Sequence, residues 1–184
     1  MAMEFVSSHI ISILLLLPVF GGLISLLVKS DRQLKLFSAL VSVLIFLISL
    51  HLFGHFDRTE AGFQFMERKV WIALLGANYF VGVDGISLLL VLLTTFITPI
   101  IIIASFKWIK HRLKEFLFFC FMMEAAMVGA FVSLNLFLFY IFWEAMLLPM
   151  FFLILIWGSE RRRYAAFKLF LYTASGSLIM LAAI

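Results

Sequence analysis

The sequence predicts an all-α fold, a polytopic bundle of about six transmembrane helices. Of the 184 residues, 65% are hydrophobic and only 13% are charged, whereas a soluble domain carries about a quarter charged residues. Six apolar stretches are each long enough to cross a bilayer, which takes about 20 residues. The connections between these stretches alternate in charge. Together these observations place the chain in a membrane.

The six spans follow from a helical rise of about 1.5 Å per residue through about 30 Å of hydrocarbon. No lysine or arginine precedes the first stretch, so we expect a permanent helix there rather than a secretory signal. Residues 54–83 form the one substantial loop of what we interpret as a single membrane domain, residues 1–184. The predicted spans are residues 10–28, 36–53, 86–106, 116–132, 136–157 and 165–184.

The distribution of basic residues predicts the orientation. The first, third and fifth connections hold 10 of the 14 lysines and arginines, while the second is balanced by acids and the fourth is uncharged. Basic loops stay in the cytoplasm, so the N-terminus is predicted to lie outside. The basic residues form short clusters and no continuous stripe, which argues against nucleic-acid binding.

The second loop ends in a stretch, residues 70–83, that mixes aromatic and β-branched residues with glycine and asparagine. This composition suits either a short hairpin or an interfacial segment. Asp84 follows at the mouth of the third span, where a helix cap is expected.

Chemical motifs point away from redox or hydrolytic chemistry on this chain. The sequence has no glycine-rich nucleotide loop, no CxxC pair, no haem-ligating histidine pair and no metal-ligand spacing. The single cysteine, Cys120, lies in an apolar run and is expected to be a small buried side chain. We therefore expect no cofactor and no metal on this chain.

Two glutamates interrupt predicted spans. Glu124 lies nine residues before Ser133, in the turn between the fourth and fifth spans, and Glu144 lies eleven residues after it. Both carboxyl groups are therefore expected about 13–17 Å below the outer surface. Loss of water disfavours an ionised carboxylate, so each is a candidate for proton transfer. The alternative is a structural carboxyl group, protonated or hydrogen-bonded to a neighbouring helix.

Pro149 and Lys168 each allow two interpretations. Pro149 cannot donate the helical hydrogen bond to the carbonyl of Ala145, so that carbonyl, beside Glu144, would be free to hold water. A kink that serves only packing is the alternative. Lys168 follows the basic fifth loop by five residues. Its ammonium group can reach the cytoplasmic surface, or it can take part in the proton path.

Four segments carry a family resemblance: GVDGISLLLVLLTTFITP (82–99), ASFKWIK (104–110), MEAAMVGAFVSLNLFLFYIFWEAMLLPMFFLILIWG (123–158) and KLFLYTASGSLIML (168–181). They resemble subunit M of bacterial NADH:quinone oxidoreductase, respiratory complex I, whose mitochondrial counterpart is the fourth membrane-encoded subunit. The FWEAMLLPM block is the most specific. Asn135 stands where this family more often has aspartate.

The resemblance implies the N-terminal portion of an antiporter-like subunit in a bacterial inner membrane, which contributes to proton translocation. It implies that Glu144, Glu124 and Lys168 act in that translocation. It further implies that other membrane-arm subunits and the lipid bilayer are the partners. Electrons would pass from NADH to quinone elsewhere, with no direct NADH binding here. Two other functions stay open: a subunit of a sodium/proton antiporter, and a membrane scaffold that transports nothing.

Overall fold

The computed structural model describes residues 9–60, 62–72 and 77–183. Within them, six helical segments are long and apolar enough to cross a membrane, which confirms the predicted helical class and number. The last residue of the predicted sixth span, Ile184, lies outside the described residues. The helices are α1 (Ile10–Leu27), α2 (Asp31–Gly54), α3 (Gly85–Trp108), α4 (Leu113–Val132), α5 (Leu136–Ala145) with α6 (Leu147–Trp157) as one span, and α7 (Arg162–Ala183).

Short connections give the bundle two different ends. The connections at residues 28–30, 109–112 and 158–161 lie at one end, which we call the basic end. The start of α1, the turn at residues 133–135 and the second loop lie at the other, the hairpin end. Which end faces the cytoplasm stays a prediction from charge.

Helix α4 is the central helix. Half of the residues in its apolar stretch are buried, compared with 11% for the α5–α6 span and 11% for α7. It packs against α1, α3 and α5. Gly22 of α1 permits the close contact with α4, because a Cβ atom there would lie only 3.3 Å from the Cβ atom of Phe121. Such small residues are usual between membrane helices, whose association depends on close packing.

The second loop folds as a β-hairpin, which settles the choice that the sequence left open. Strand β1 (Gln64–Ile72) pairs antiparallel with β2 (Ala77–Val83), and the turn lies outside the described residues. The hairpin begins at Gln64, earlier than the stretch from Val70 that suggested it. It docks on the α4–α5 turn, where the N–H group of Leu134 donates to the carbonyl of Phe80 at 2.9 Å.

Glu67 attaches the hairpin to the start of α1. Its side chain is buried and accepts hydrogen bonds from the backbone N–H group of Ser12, at 3.0 Å, and from the Ser12 hydroxyl. The Nδ1 atom of His9 lies 3.4 Å from the same carboxylate, and the Tyr79 hydroxyl lies 2.7 Å from Ser12 Oγ. Glu67 thus satisfies a first-turn N–H group that has no partner within the helix.

Replacing Glu67 with alanine is expected to lower the free energy of unfolding by about 1–3 kcal/mol, because it leaves buried donors without an acceptor. Thermal unfolding of the purified chain in detergent, followed by circular dichroism, measures this. Glu60→Ala is the matched control, because Glu60 is an exposed acid of the same loop. Equal stability of the two variants would contradict the assigned role of Glu67.

Asp84 caps α3, as the sequence predicts. Its Oδ1 atom accepts from the N–H groups of Ser87, at 2.7 Å, and Ile86, at 3.1 Å, while Ser87 Oγ accepts from the Asp84 N–H group at 2.9 Å. Hydrogen bonds to the charged form, first of all that from the Ser87 N–H group, hold the pKa of Asp84 below its ordinary value of 3.8.

The depressed pKa gives this cap a defined pH dependence. Its contribution to stability is present above the ordinary value and is lost as the pH falls through the lower, folded-state pKa. Asp84→Asn should remove that acid-dependent part, and Asp84→Ala should cost about 1 kcal/mol at neutral pH. Unfolding measured from neutral to acidic pH tests both. If the stability of Asp84→Asn still falls with acid as in the unsubstituted chain, that pH dependence arises from other groups.

Candidate functional site: carboxyl groups within the membrane

Glu124 lies in the packed interior of the α1–α4 bundle. Its exposed fraction is 0%, and neither carboxyl oxygen has a hydrogen-bond partner among the described residues. Thr98 of α3 lies beside it, but the Thr98 hydroxyl donates to the carbonyl of Thr94 at 3.0 Å. The carboxyl group therefore faces protein and lies near the hydroxyl group of Thr98.

This surrounding determines what Glu124 can do. An ionised carboxylate without a partner costs many kcal/mol in a dry interior, whereas a neutral acid costs far less. Glu124 can hold a proton there and can release it only when water or a cation reaches the carboxyl group. The site thus provides a carboxyl group whose charge depends on whether water or a cation can reach it.

Glu144 lies where a proline interrupts the helical hydrogen bonds of the fifth span. Helix α5 ends one residue later, at Ala145, and α6 begins at Leu147. Pro149 follows in the first turn of α6 and has no N–H group for the carbonyl of Ala145. One carboxyl oxygen of Glu144, Oε1, is buried without a partner, while the residue as a whole is partly exposed. Met146 keeps helical dihedral angles, φ −69° and ψ −28°, so the helix continues and only the carbonyl of Ala145, next to this carboxyl group, loses its helical donor.

Tyr140, which the sequence analysis did not single out, lies near Glu144, and Ser177 of α7 lies near Tyr140. The Tyr140 hydroxyl lies within interaction distance of both Glu144 and Ser177 of α7. Tyr140 precedes Glu144 by four residues, and this i,i+4 spacing places the two side chains on one helix face. Ser177 is 4% exposed. The i,i+4 spacing could have predicted the contact between Tyr140 and Glu144. No pattern in the sequence predicted the contact between Tyr140 and Ser177.

The two glutamates belong to adjacent helices but do not touch. Gly129 of α4 faces the ring of Phe142 so closely that a Cβ atom would overlap it, which shows how tightly α4 and α5 pack. No hydrogen bond or ion pair joins Glu124 to Glu144 in the part of the chain that the structure describes. A proton moving between them would need water or another side chain.

Lys168 lies apart from both glutamates. It is exposed on α7, and its Nζ atom lies 5.6 Å and 5.9 Å from the ring centroids of Tyr164 and Tyr172. It is six residues from the start of α7 at the basic end, hence about 9 Å into the helix. Glu144 lies thirteen residues from the same end of its span, about 20 Å deep.

The fold and these side chains define a class: multi-pass α-helical membrane proteins with protonatable groups inside the bundle. Residues 12–130 match the family profile "NADH-ubiquinone oxidoreductase chain 4, amino terminus". Residues 133–184 match the profile "NADH:quinone oxidoreductase/Mrp antiporter, TM". The chain belongs to the family of NADH-ubiquinone oxidoreductase chain 4, as its resemblance indicated.

Individual relatives agree with this assignment. NADH-quinone oxidoreductase subunit M of Rhodobacter capsulatus is 44% identical over 181 residues, which cover 95% of this chain and 35% of that protein. Chain 4 of NADH-ubiquinone oxidoreductase from Marchantia polymorpha is 42% identical, covering 93% of this chain and 35% of that protein. This chain therefore spans about a third of the length of such relatives.

Solved structures show the same fold. A chain of respiratory complex I from Thermus thermophilus matches with a TM-score of 0.80 and 29% identity, over 94% of this chain and 34% of that one. An archaeal membrane-bound sulfane sulfur reductase matches with a TM-score of 0.76 at 19% identity, over 93% of this chain and 26% of that one. The second likeness concerns the fold alone.

The burial of Glu124 leads to a prediction about stability. Glu124→Leu should raise the free energy of unfolding by about 1–3 kcal/mol, because it replaces an unpartnered polar group with an apolar one of similar size. Glu124→Gln is the matched control and should change stability little, since its amide is equally unpartnered. Thermal unfolding in detergent measures both. A large loss of stability in Glu124→Leu would show that the carboxyl group has a structural partner.

Proposed function

We propose that this chain contributes to proton translocation as part of a membrane subunit of NADH:quinone oxidoreductase, in a bacterial inner membrane. One observation carries the proposal: two packed transmembrane helices, α4 and the α5–α6 span, each hold a glutamate with a buried, unpartnered oxygen. Polar groups of this kind are costly in a membrane and mark ion or proton pathways. The family of the chain supports the same function.

In the proposed mechanism, Glu144 exchanges protons with water and Glu124 stores one in the bundle interior. The carbonyl of Ala145, which Pro149 leaves without a helical donor, is a backbone acceptor for water next to Glu144. Tyr140 can hold the Glu144 carboxyl group in position and link it to Ser177 of α7. When water or a cation approaches Glu124, it stabilises the ionised form of the carboxyl group, and the proton leaves.

Lys168 has a separate role in this proposal. Its ammonium group forms no ion pair with Glu144 among the described residues and lies near the rings of Tyr164 and Tyr172. A cation at that depth must reach the basic end or meet an acidic group of a neighbouring helix. We propose that Lys168 contacts another part of the assembled complex. Redox groups and NADH binding are assigned to other subunits, which are the proposed partners.

A sodium/proton antiporter subunit is the second candidate, because the profile matched by residues 133–184 also describes antiporters. The two functions differ in the transported ion. Pumping that is driven by NADH and is independent of sodium would favour the oxidoreductase. Exchange that requires sodium and no NADH would favour the antiporter.

Glu144→Gln, made in the subunit within its assembled complex, should reduce proton pumping at least about tenfold, since glutamine keeps the size but cannot carry a proton. Quinone reduction should fall with pumping, because the two processes are coupled. Glu124→Gln should reduce pumping less, because no proline of its own helix frees a backbone carbonyl for water beside it. NADH:quinone activity and proton uptake in membrane vesicles measure these effects, with assembly verified separately.

Glu160→Gln is the control for these variants. Glu160 is exposed at the basic end, so its loss removes a carboxylate without touching the bundle interior. Normal pumping by an assembled Glu144→Gln complex would contradict the proposed role and would favour a scaffold in which both glutamates are structural.

A further inference from the structure

A cavity of about 760 Å³ opens at the basic end, between the α3–α4 connection and the facing ends of α6 and α7. Five of its lining residues are basic or can become so, and no carboxylate lines it among the described residues. Trp108 and Trp157 contribute the aromatic wall. The basic lining residues are Lys110, His111, Arg112, Arg162 and Arg163.

The cavity is held open by fixed contacts. The indole N–H group of Trp157 donates to the carbonyl of His111 at 3.2 Å, and its ring lies edge-on to Phe116 with centroids 5.2 Å apart. The Arg162 guanidinium group donates to the carbonyl of Ile156 at 2.7 Å. These contacts tie the α3–α4 connection to the end of α6, so the space exists without a ligand.

Positive charge remains available inside the cavity. Arg112 is paired with Glu115 at 3.1 Å, but Lys110 and Arg163 form no ion pair among the described residues. Helices α4 and α7 both begin beside the cavity, and the N-terminal end of a helix carries partial positive charge. The cavity therefore favours an anion.

An apolar groove of about 420 Å³ shares Arg112, Leu155 and Ile156 with the cavity. It is further lined by Glu115, whose carboxylate is paired with Arg112, by Leu26 of α1 and by phenylalanines of α4 and α6. The groove therefore extends from the basic end into the hydrocarbon region. The phenylalanines are Phe118, Phe119 and Phe152. This mostly apolar groove offers a free anion no favourable contacts, whereas an acyl chain can pack against it.

We propose that the cavity and the groove together bind an anionic phospholipid, with the phosphate beside Lys110 and Arg163 and an acyl chain against the phenylalanines. Basic pockets at the cytoplasmic ends of transmembrane helices attract such headgroups. The aromatic wall suits the headgroup level, where tryptophan is favoured. The lipid would fill the gap between α1, α4 and α6 and hold the α3–α4 connection against α6.

Tryptophan quenching in lipid nanodiscs tests this proposal. The chain carries Trp71→Phe and Trp143→Phe, so that Trp108 and Trp157 report alone. Phosphatidylglycerol with brominated acyl chains is titrated against brominated phosphatidylcholine. We expect the anionic lipid to quench at lower mole fraction. Adding Lys110→Gln and Arg163→Gln should reduce this preference about tenfold or more, since each charge near a membrane surface contributes about 1 kcal/mol.

The control variant carries Lys114→Gln and Arg161→Gln, two charges lost from the same end but outside the cavity lining. It should keep the preference. Equal losses in both double variants would assign the effect to diffuse surface charge and overturn the site. Equal quenching by both lipids in the chain whose cavity residues are unchanged would also overturn the proposed site. Loss of the preference when inorganic phosphate is added would indicate a site for a soluble anion instead of a lipid.

Discussion

Hydrocarbon offers no hydrogen bonds, so every polar group within the spans must be satisfied by the protein itself. The backbone meets this requirement by forming helices. Most buried hydroxyl groups meet it by donating to carbonyls of their own helix, as Ser25 does to Gly22 and Thr98 to Thr94, or to another hydroxyl, as between Ser49 and Thr95. The Ser38 hydroxyl and the carboxyl group of Glu124 are buried without such a partner. Of these two, only Glu124 can ionise, which is the basis of its proposed role.

The same requirement shapes the hairpin end, where helix termini meet water. N–H groups in the first turns of α1, α3 and α5 donate there to side-chain oxygens, those of Glu67, Asp84 and Asn135 respectively. Glu67 comes from the hairpin, and the hairpin also bonds to Leu134 in the α4–α5 turn. One small sheet therefore connects the start of α1 to the turn between the two glutamate-bearing helices, and so helps to fix their relative depth.

Much of this architecture follows from the sequence, because span length and charge alternation are properties of short segments. The Asp84 cap is equally local. The role of Glu67 was not predictable, since Glu67, Arg68 and Lys69 form a charged run typical of a solvated loop, and only the docked hairpin buries the first of them. The pairing of Tyr140 with Ser177 depends on how α5 packs against α7, and no local pattern encodes that contact.

The surroundings of the two glutamates differ in a way that suits a sequence of proton transfers. Glu124 lies in the best-packed part of the bundle. Ionisation of its carboxyl group is costly there unless water or a cation reaches it. Glu144 lies on one of the two least buried spans, next to the carbonyl that Pro149 leaves without a helical donor and close to the Tyr140 hydroxyl. In the proposed function, a proton exchanges at Glu144 with little rearrangement, whereas transfer to Glu124 requires the bundle to admit water. That difference in access distinguishes the proposed roles of the two groups, which two equivalent carboxyl groups could not have.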